Sequence, residues 1–165
     1  MLTTKQTSSA SVTAEIVNPI LQSTMETFSM MLGAEVKRTG LGLKSPDCQF
    51  YDITAVIGLS GDTAGSICLS FSAQTAFNCI KRMLDMDVNQ IDGLVTDTVG
   101  EFANVIAGSA KDKLVHLNME LGIPNIVHGS GHQVEFPQNA RPMKLEFDSC
   151  VGPFMIVFGF VSRSN

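Results

Sequence analysis

The chain has 165 residues, 44% of them apolar and 16% charged, with a formal net charge of −5. That length fits one domain of ordinary size, and the apolar share excludes a wholly disordered chain. An acidic chain without a lysine/arginine cluster is poorly suited to nucleic acid or an anionic membrane. Cys48, Cys68, Cys79 and Cys150 are widely spaced with no C-x-x-C pair. They read as buried or half-buried thiols rather than a disulfide framework or a structural zinc site.

Residues 1–12 are rich in Ser and Thr and lack the apolar run of a signal peptide. They read as a disordered lead-in to a single domain over 13–165, and the protein reads as cytoplasmic. Residues 13–32 place Ile16, Val17, Ile20, Leu21, Met25, Phe28, Met31 and Leu32 close to a helical period. Asn18 as N-cap and Pro19 at the first helical position would remove the conflict that a mid-helix proline creates. Gly33 would end this helix.

The period then shortens. Residues 35–43, 50–59 and 64–71 read as strands, with Ser60-Gly61-Asp62-Thr63 as the hairpin turn between the last two. Ser72 is placed to cap a helix over 73–84 that buries Ala76, Phe77, Ile80 and Leu84. A connector over 86–93 leads into a long helix from about 95 to 117. Strand character returns at 125–128 and 133–136, around Gly129-Ser130-Gly131. Residues 143–150 and 154–162 form a second hairpin across Gly152-Pro153. The elements do not alternate as βαβ units, so the class is α+β: a mostly antiparallel sheet packed against two long helices and one short helix.

The long helix carries the chemistry. At about 100° per residue, and with Asp97 at zero, Glu101 falls near 40°, Asn104 near −20° and Gly108 near 20°. Val99, Phe102, Ala103, Ile106, Ala110 and Leu117 fall on the opposite side, which must face the core. A solvated polar face would also look like this. However, Asp97 and Glu101 are like charges at i and i+4, costing about 0.2–0.5 kcal/mol. Gly108 sits mid-helix, at about 1 kcal/mol relative to Ala. A face that accepts both costs is shaped for a close approach.

The pattern Asp97-x-x-x-Glu101-x-x-Asn104 resembles the signature helix of the CheC/CheX/FliY phosphatases of bacterial chemotaxis. The opening helix with Asn18-Pro19, the two hairpins and the order of elements resemble the CheX members over nearly the whole chain. Two departures stand out. Pro124 follows Asn104 after nineteen intervening residues, where the family often has a proline some two dozen on. The first helix reads Glu26-Thr27-Phe28-Ser29, so Ser29 stands where a second signature helix would carry Asn.

The resemblance implies an enzyme that hydrolyses the aspartyl-phosphate of a CheY-type response regulator. Asn104 would enter the regulator's phosphorylated site and hold a water in line with phosphorus. Glu101 would pair with the regulator's lysine, and Asp97 and Gly108 would belong to the docking stripe. The chain would need no cofactor of its own, because Mg²⁺ would be held by the regulator's acidic residues.

Residues 154–160 are apolar on successive positions, so both faces of that strand want cover. With the dimeric habit of CheX-like proteins, this implies a homodimer built through its sheets. Nothing implies nucleic acid or membrane insertion. The longest apolar run, 154–160, is far short of a span. His128-Gly-Ser-Gly-His132 reads as a turn rather than a metal or phosphate site. His116 reads as a surface residue near a helix C-terminus. Met25, Met30 and Met31 read as core filling first and as a dimer or partner surface second. Two other readings stand beside the phosphatase: a non-catalytic module that docks a response regulator, and a dimeric small-ligand sensor.

Overall fold

The computed structural model describes residues 9–163, with side chains from Ala14 onward. Helix α1 spans Ser9–Leu32, α2 spans Ala73–Leu84 and α3 spans Gly93–Lys113. The strands are β1 (Val36–Leu43), β2 (Ile53–Gly61), β3 (Thr63–Phe71), β4 (Met119–Leu121), β5 (Asn125–His128), β6 (Met143–Ser149) and β7 (Phe154–Ser162). They form one antiparallel seven-stranded sheet in the order β1-β6-β7-β3-β2-β4, with β5 also paired to β2. The fold is therefore the α+β class expected, with the two long helices and one short one.

Alternation along the strands builds two cores. Ile53, Ala55 and Ile57 of β2, Ile67, Leu69 and Phe71 of β3, and Phe154, Ile156 and Phe158 of β7 face the helices. Five phenylalanines occupy the centre of that layer. Phe28 of α1 stacks on Phe154 at 4.5 Å between ring centroids, and Phe102 of α3 lies 5.2 Å from Phe28. Phe71 meets Phe28, Phe102 and Phe154, and Phe147 stacks on Phe154 at 4.8 Å. All five are essentially fully buried.

The opposite face buries Cys68, Met155 and Val157 under Cys48, Phe50, Tyr51, Val134 and Phe136. Both faces of β7 are thus covered, as its composition requires, but the second cover comes from this chain's own loops. Burial pushes the thiols of Cys68 and Cys79 up to about 12, which marks them as inert packing residues.

Several boundaries differ from expectation. Pro19 lies inside α1, and the helix is already under way at Ser9. Val17 and Ile20, on either side of the proline, are both buried in the core. Their packing offsets the missing N–H and the ring clash, which together cost about 3 kcal/mol. Of the expected lead-in, residues 1–8 lie outside the described residues.

Helix α3 ends at Lys113 rather than near 117. Residues Val115–Leu117 form a 3₁₀ turn, Asn118 takes a left-handed φ of 44°, and the unforeseen β4 follows. The expected strand over 133–136 is irregular, because Val134 and Phe136 pack down onto the sheet face instead of joining a ladder. Leu84 is half exposed at the end of α2. Met25 and Met30 are 46% and 72% exposed, so neither fills the core. Ser72 caps α2 as expected, its Oγ accepting from the Thr75 N–H at 3.1 Å.

The 128–132 segment is the expected turn, with Gly129 and Gly131 both at positive φ. Its His132 pins the loop to the sheet through a directional chain of hydrogen bonds. The Tyr51 N–H donates to Ser70 Oγ at 2.9 Å, and Ser70 Oγ lies 2.8 Å from Thr54 Oγ1. Thr54 Oγ1 is 2.7 Å from His132 Nε2, and His132 Nδ1 is 2.8 Å from the Gly129 carbonyl. A carbonyl only accepts, so neutral His132 carries its proton on Nδ1 and Nε2 accepts from Thr54. Thr54→Val would strand the buried Ser70 hydroxyl and free the loop. The expected loss is about 1–3 kcal/mol, read as a lower urea midpoint at unchanged slope.

Candidate functional site

Helix α3 begins at Asp92, whose Oδ1 accepts from the Val95 N–H at 3.1 Å. An N-cap carboxylate of this kind is worth about 1 kcal/mol and fixes where the helical register starts. Val95, Val99, Phe102, Ala103, Ile106, Ala107 and Ala110 are buried. Burying these residues turns the other side outward. Asp97, Glu101 and Asn104 are exposed, and Gly108 is half-buried on the same stripe. The structure therefore brings the four expected residues to one open face. Glu101 and Asn104 are about one turn apart, with roughly 5–6 Å between neighbouring Cβ positions.

Among the described residues, no hydrogen bond or ion pair engages the side chains of Asp97, Glu101 or Asn104. Their polar atoms are free to meet a partner. The acidic pair favours a cation, while the neutral amide offers both a donor and an acceptor without titrating.

The flanks of the stripe are built differently. On one side the turn between β4 and β5 packs against Gly100. A Cβ there would lie 3.5 Å from Ile126 Cδ1 and 3.8 Å from Pro124 Cβ. Pro124 thus sits beside the residue preceding Glu101, a placement that its spacing from Asn104 left open. Gly100 itself escaped notice in the sequence, although a second mid-helix glycine about 100° behind Glu101 was the available signal.

On the other side lies α1, with Glu26 committed inside the chain. Its carboxylate accepts from Lys113 Nζ at 2.9 Å and from Gln22 Nε2 at 2.8 Å. Hydrogen bonds from Lys113, then from Gln22, hold this carboxyl below its ordinary range. Lys113 Nζ also donates to Ser23 and Ser109. The Glu26 carboxylate is thus internally satisfied, and Glu101/Asn104 is not.

His116 lies in the 3₁₀ turn beyond α3, 3.1 Å from Glu15 Oε1. His128 and His132 do not converge on a common ligand: the first lies on β5 and the second is engaged by Thr54. Among the described residues there is no group of three or more His, Cys, Asp or Glu able to hold a metal ion. Among the same residues no helix is long and apolar enough to cross a membrane.

Comparison with known proteins gives the class. Residues 53–148 match the family model described as chemotaxis phosphatase CheX. The CheY-P phosphatase CheX of Thermotoga maritima is 36% identical over 120 residues, covering 70% of this chain and 77% of that protein. The chemotaxis protein CheX from Vibrio vulnificus superposes with a TM-score of 0.81 at 30% identity, over 90% of this chain and all of that one. The same fold occurs at 20% identity in the CheX of a CheX-CheY-BeF3-Mg²⁺ complex from Borrelia burgdorferi. There the TM-score is 0.71, over 90% of this chain and 98% of that one. The free stripe on α3 therefore belongs to a chain of the chemotaxis phosphatase CheX family.

Gly108 offers a direct check that the stripe is not shaped by the fold. A Cβ added there meets nothing within 4 Å. Gly108→Ala is expected to stabilise the protein by about 0.5–1 kcal/mol, seen as a rise in melting temperature of about 2–3 °C. A fall would show that the glycine serves internal packing.

Proposed function

We propose that this protein is a cytoplasmic phosphatase that hydrolyses the aspartyl-phosphate of a CheY-type response regulator. The observation that carries the reading is the pair Glu101 and Asn104. Both are exposed and uncommitted, on a helix of a fold whose buried polar side chains, among the described residues, are all satisfied. The Thermotoga maritima relative, named for the same activity, supports it.

The chemistry asks little of the protein. An acyl phosphate is already activated, so catalysis is mainly the positioning of a water. The Asn104 amide enters the regulator's site and holds a water in line with phosphorus. The water oxygen bonds to phosphorus as the bond to the aspartyl oxygen breaks, leaving inorganic phosphate and a free carboxylate. Glu101 pairs with the regulator's lysine and sets the register. Asp97 and Gly108 complete the docking stripe, Asp97 by charge and Gly108 by leaving room. Mg²⁺ comes with the regulator, held by its acidic residues, and this chain brings no cofactor.

Two substitutions separate the roles. Asn104→Ala should remove the catalysed acceleration, about hundredfold or more, with unchanged melting temperature. Retention of near-wild-type rates on the regulator would rule out water positioning by this amide. Glu101→Gln loses a charge-assisted contact worth about 1.5–3 kcal/mol, so docking should weaken about tenfold to a hundredfold. A large loss of thermal stability at unchanged activity would instead make Glu101 structural.

The protein acts as a homodimer joined through its sheets. The support is the edge strand β1. Beyond its irregularity between Arg38 and Gly40, Leu41 and Leu43 are 44% and 64% exposed. The second face of β7 does not contribute, being covered from within the chain. Light scattering at micromolar concentration should give twice the 17.7 kDa chain mass. A monomer mass would exclude the dimer.

A further inference from the structure

The turn between β4 and β5 carries a residue that the fold does not use. Ile123 is 81% exposed, more than any other large hydrophobic side chain among the described residues. Its neighbours on both sides are fastened. The Gly122 N–H donates to the Gly58 carbonyl of β2 at 2.9 Å. Pro124 packs beside Gly100 of α3 and holds its own φ near −65°. A residue before proline is confined to extended backbone, which suits a β-branched side chain. Ile123 is therefore presented by a stiff turn, immediately beside the flank of the Asp97-Glu101-Asn104 stripe.

Scattered exposed aliphatics need no explanation by themselves. This one has two features that ask for one. It is held by anchors rather than carried on a loose loop tip. It also stands next to a stripe whose acidic and amide groups have no partner among the described residues. Polar contacts fix register, but an apolar anchor at their edge supplies area that water does not contest.

We propose that Ile123 is a docking residue for the regulator: it seats in an apolar depression on the receiver domain, next to the phosphorylated pocket that Asn104 enters. The inference rests on the phosphatase reading and names a residue that sets which receivers fit. Ile123 touches no reacting atom. It governs how tightly the partner is held and leaves the hydrolytic step alone.

The test uses the full chain and a purified CheY-type receiver domain, in two assays. In steady-state dephosphorylation, Ile123→Ala should raise KM about tenfold, since burying such a side chain is worth about one decade or more in affinity. Ile123→Asp should raise it further, with kcat within twofold for both and melting temperatures unchanged. Ile123→Leu should restore most of the affinity, which a merely structural role would not predict. In the second assay the receiver is loaded with beryllofluoride and Mg²⁺, and binding is titrated without turnover. Ile123→Asp should weaken binding there too, in wild type and in the Asn104→Ala background alike. Turnover by wild type with KM and binding untouched by Ile123→Asp would overturn the docking role and leave the phosphatase reading standing. Binding weakened by Ile123→Asp, with no turnover by wild type, would overturn the catalytic reading and leave the docking role standing.

Discussion

The burial of Phe102 against Phe28 and Phe71 is the contact on which the rest of the molecule depends. Phe102 follows Glu101 directly in the chain. A helix is a rigid rotor at 3.6 residues per turn, so anchoring one residue sets the direction of all the others. With Phe102 locked against Phe28 and Phe71, Glu101 and Asn104 have no choice but to face away from the sheet. Removing a buried ring of this kind costs about 3–5 kcal/mol, a large fraction of the stability of an ordinary domain. The aromatic cluster therefore does two things at once. It joins α1, α3 and three strands into one core, and it aims the stripe.

The sheet that receives this helix is itself covered on both faces. Phe154, Ile156 and Phe158 lie under the helices, while Met155 and Val157 lie under Phe50, Tyr51, Val134 and Phe136. The loop carrying Val134 and Phe136 begins at the His132 pin, where Thr54 and Ser70 supply the polar contacts. These hydroxyls sit at the positions of β2 and β3 that point away from the helices. The water-positioning role proposed for Asn104 needs support of this stiffness, because a displacement of about 1 Å is costly in such catalysis.

Electrostatic pairing separates two faces with similar composition. Glu26 on α1 and Glu101 on α3 are both exposed glutamates, each with a short polar residue three positions on. Lys113 reaches across from α3 and satisfies Glu26. No lysine reaches Glu101 among the described residues. The two carboxylates thus differ in what they leave for a partner: one is spent on holding α1 to α3, the other remains available. In a surface where isolated ion pairs contribute little stability, the difference matters more for recognition than for folding.

Much of the architecture was legible in the amino-acid order, because periodicity and caps are local. The cap at Ser72, the bounds of β7, the hairpin at 60–63 and the outward stripe of α3 follow from the spacing of apolar residues and from turn chemistry. The α1 boundary, the irregular 133–136 segment and β4 did not. Each was decided by packing between residues distant in sequence: Val17 and Ile20 carrying a helix through Pro19, Val134 and Phe136 drawn down onto a sheet face, and three residues long enough to pair with β2 but too short to show a period. The candidate residues were likewise visible, but their state was not. A helical wheel places Glu101 and Asn104 on one face. Only the folded chain decides that Lys113 neutralises Glu26 instead of Glu101, that Pro124 lies against Gly100, and that Ile123 is left uncovered beside them. Direction along a helix is a property of sequence, and company across space is a property of the fold.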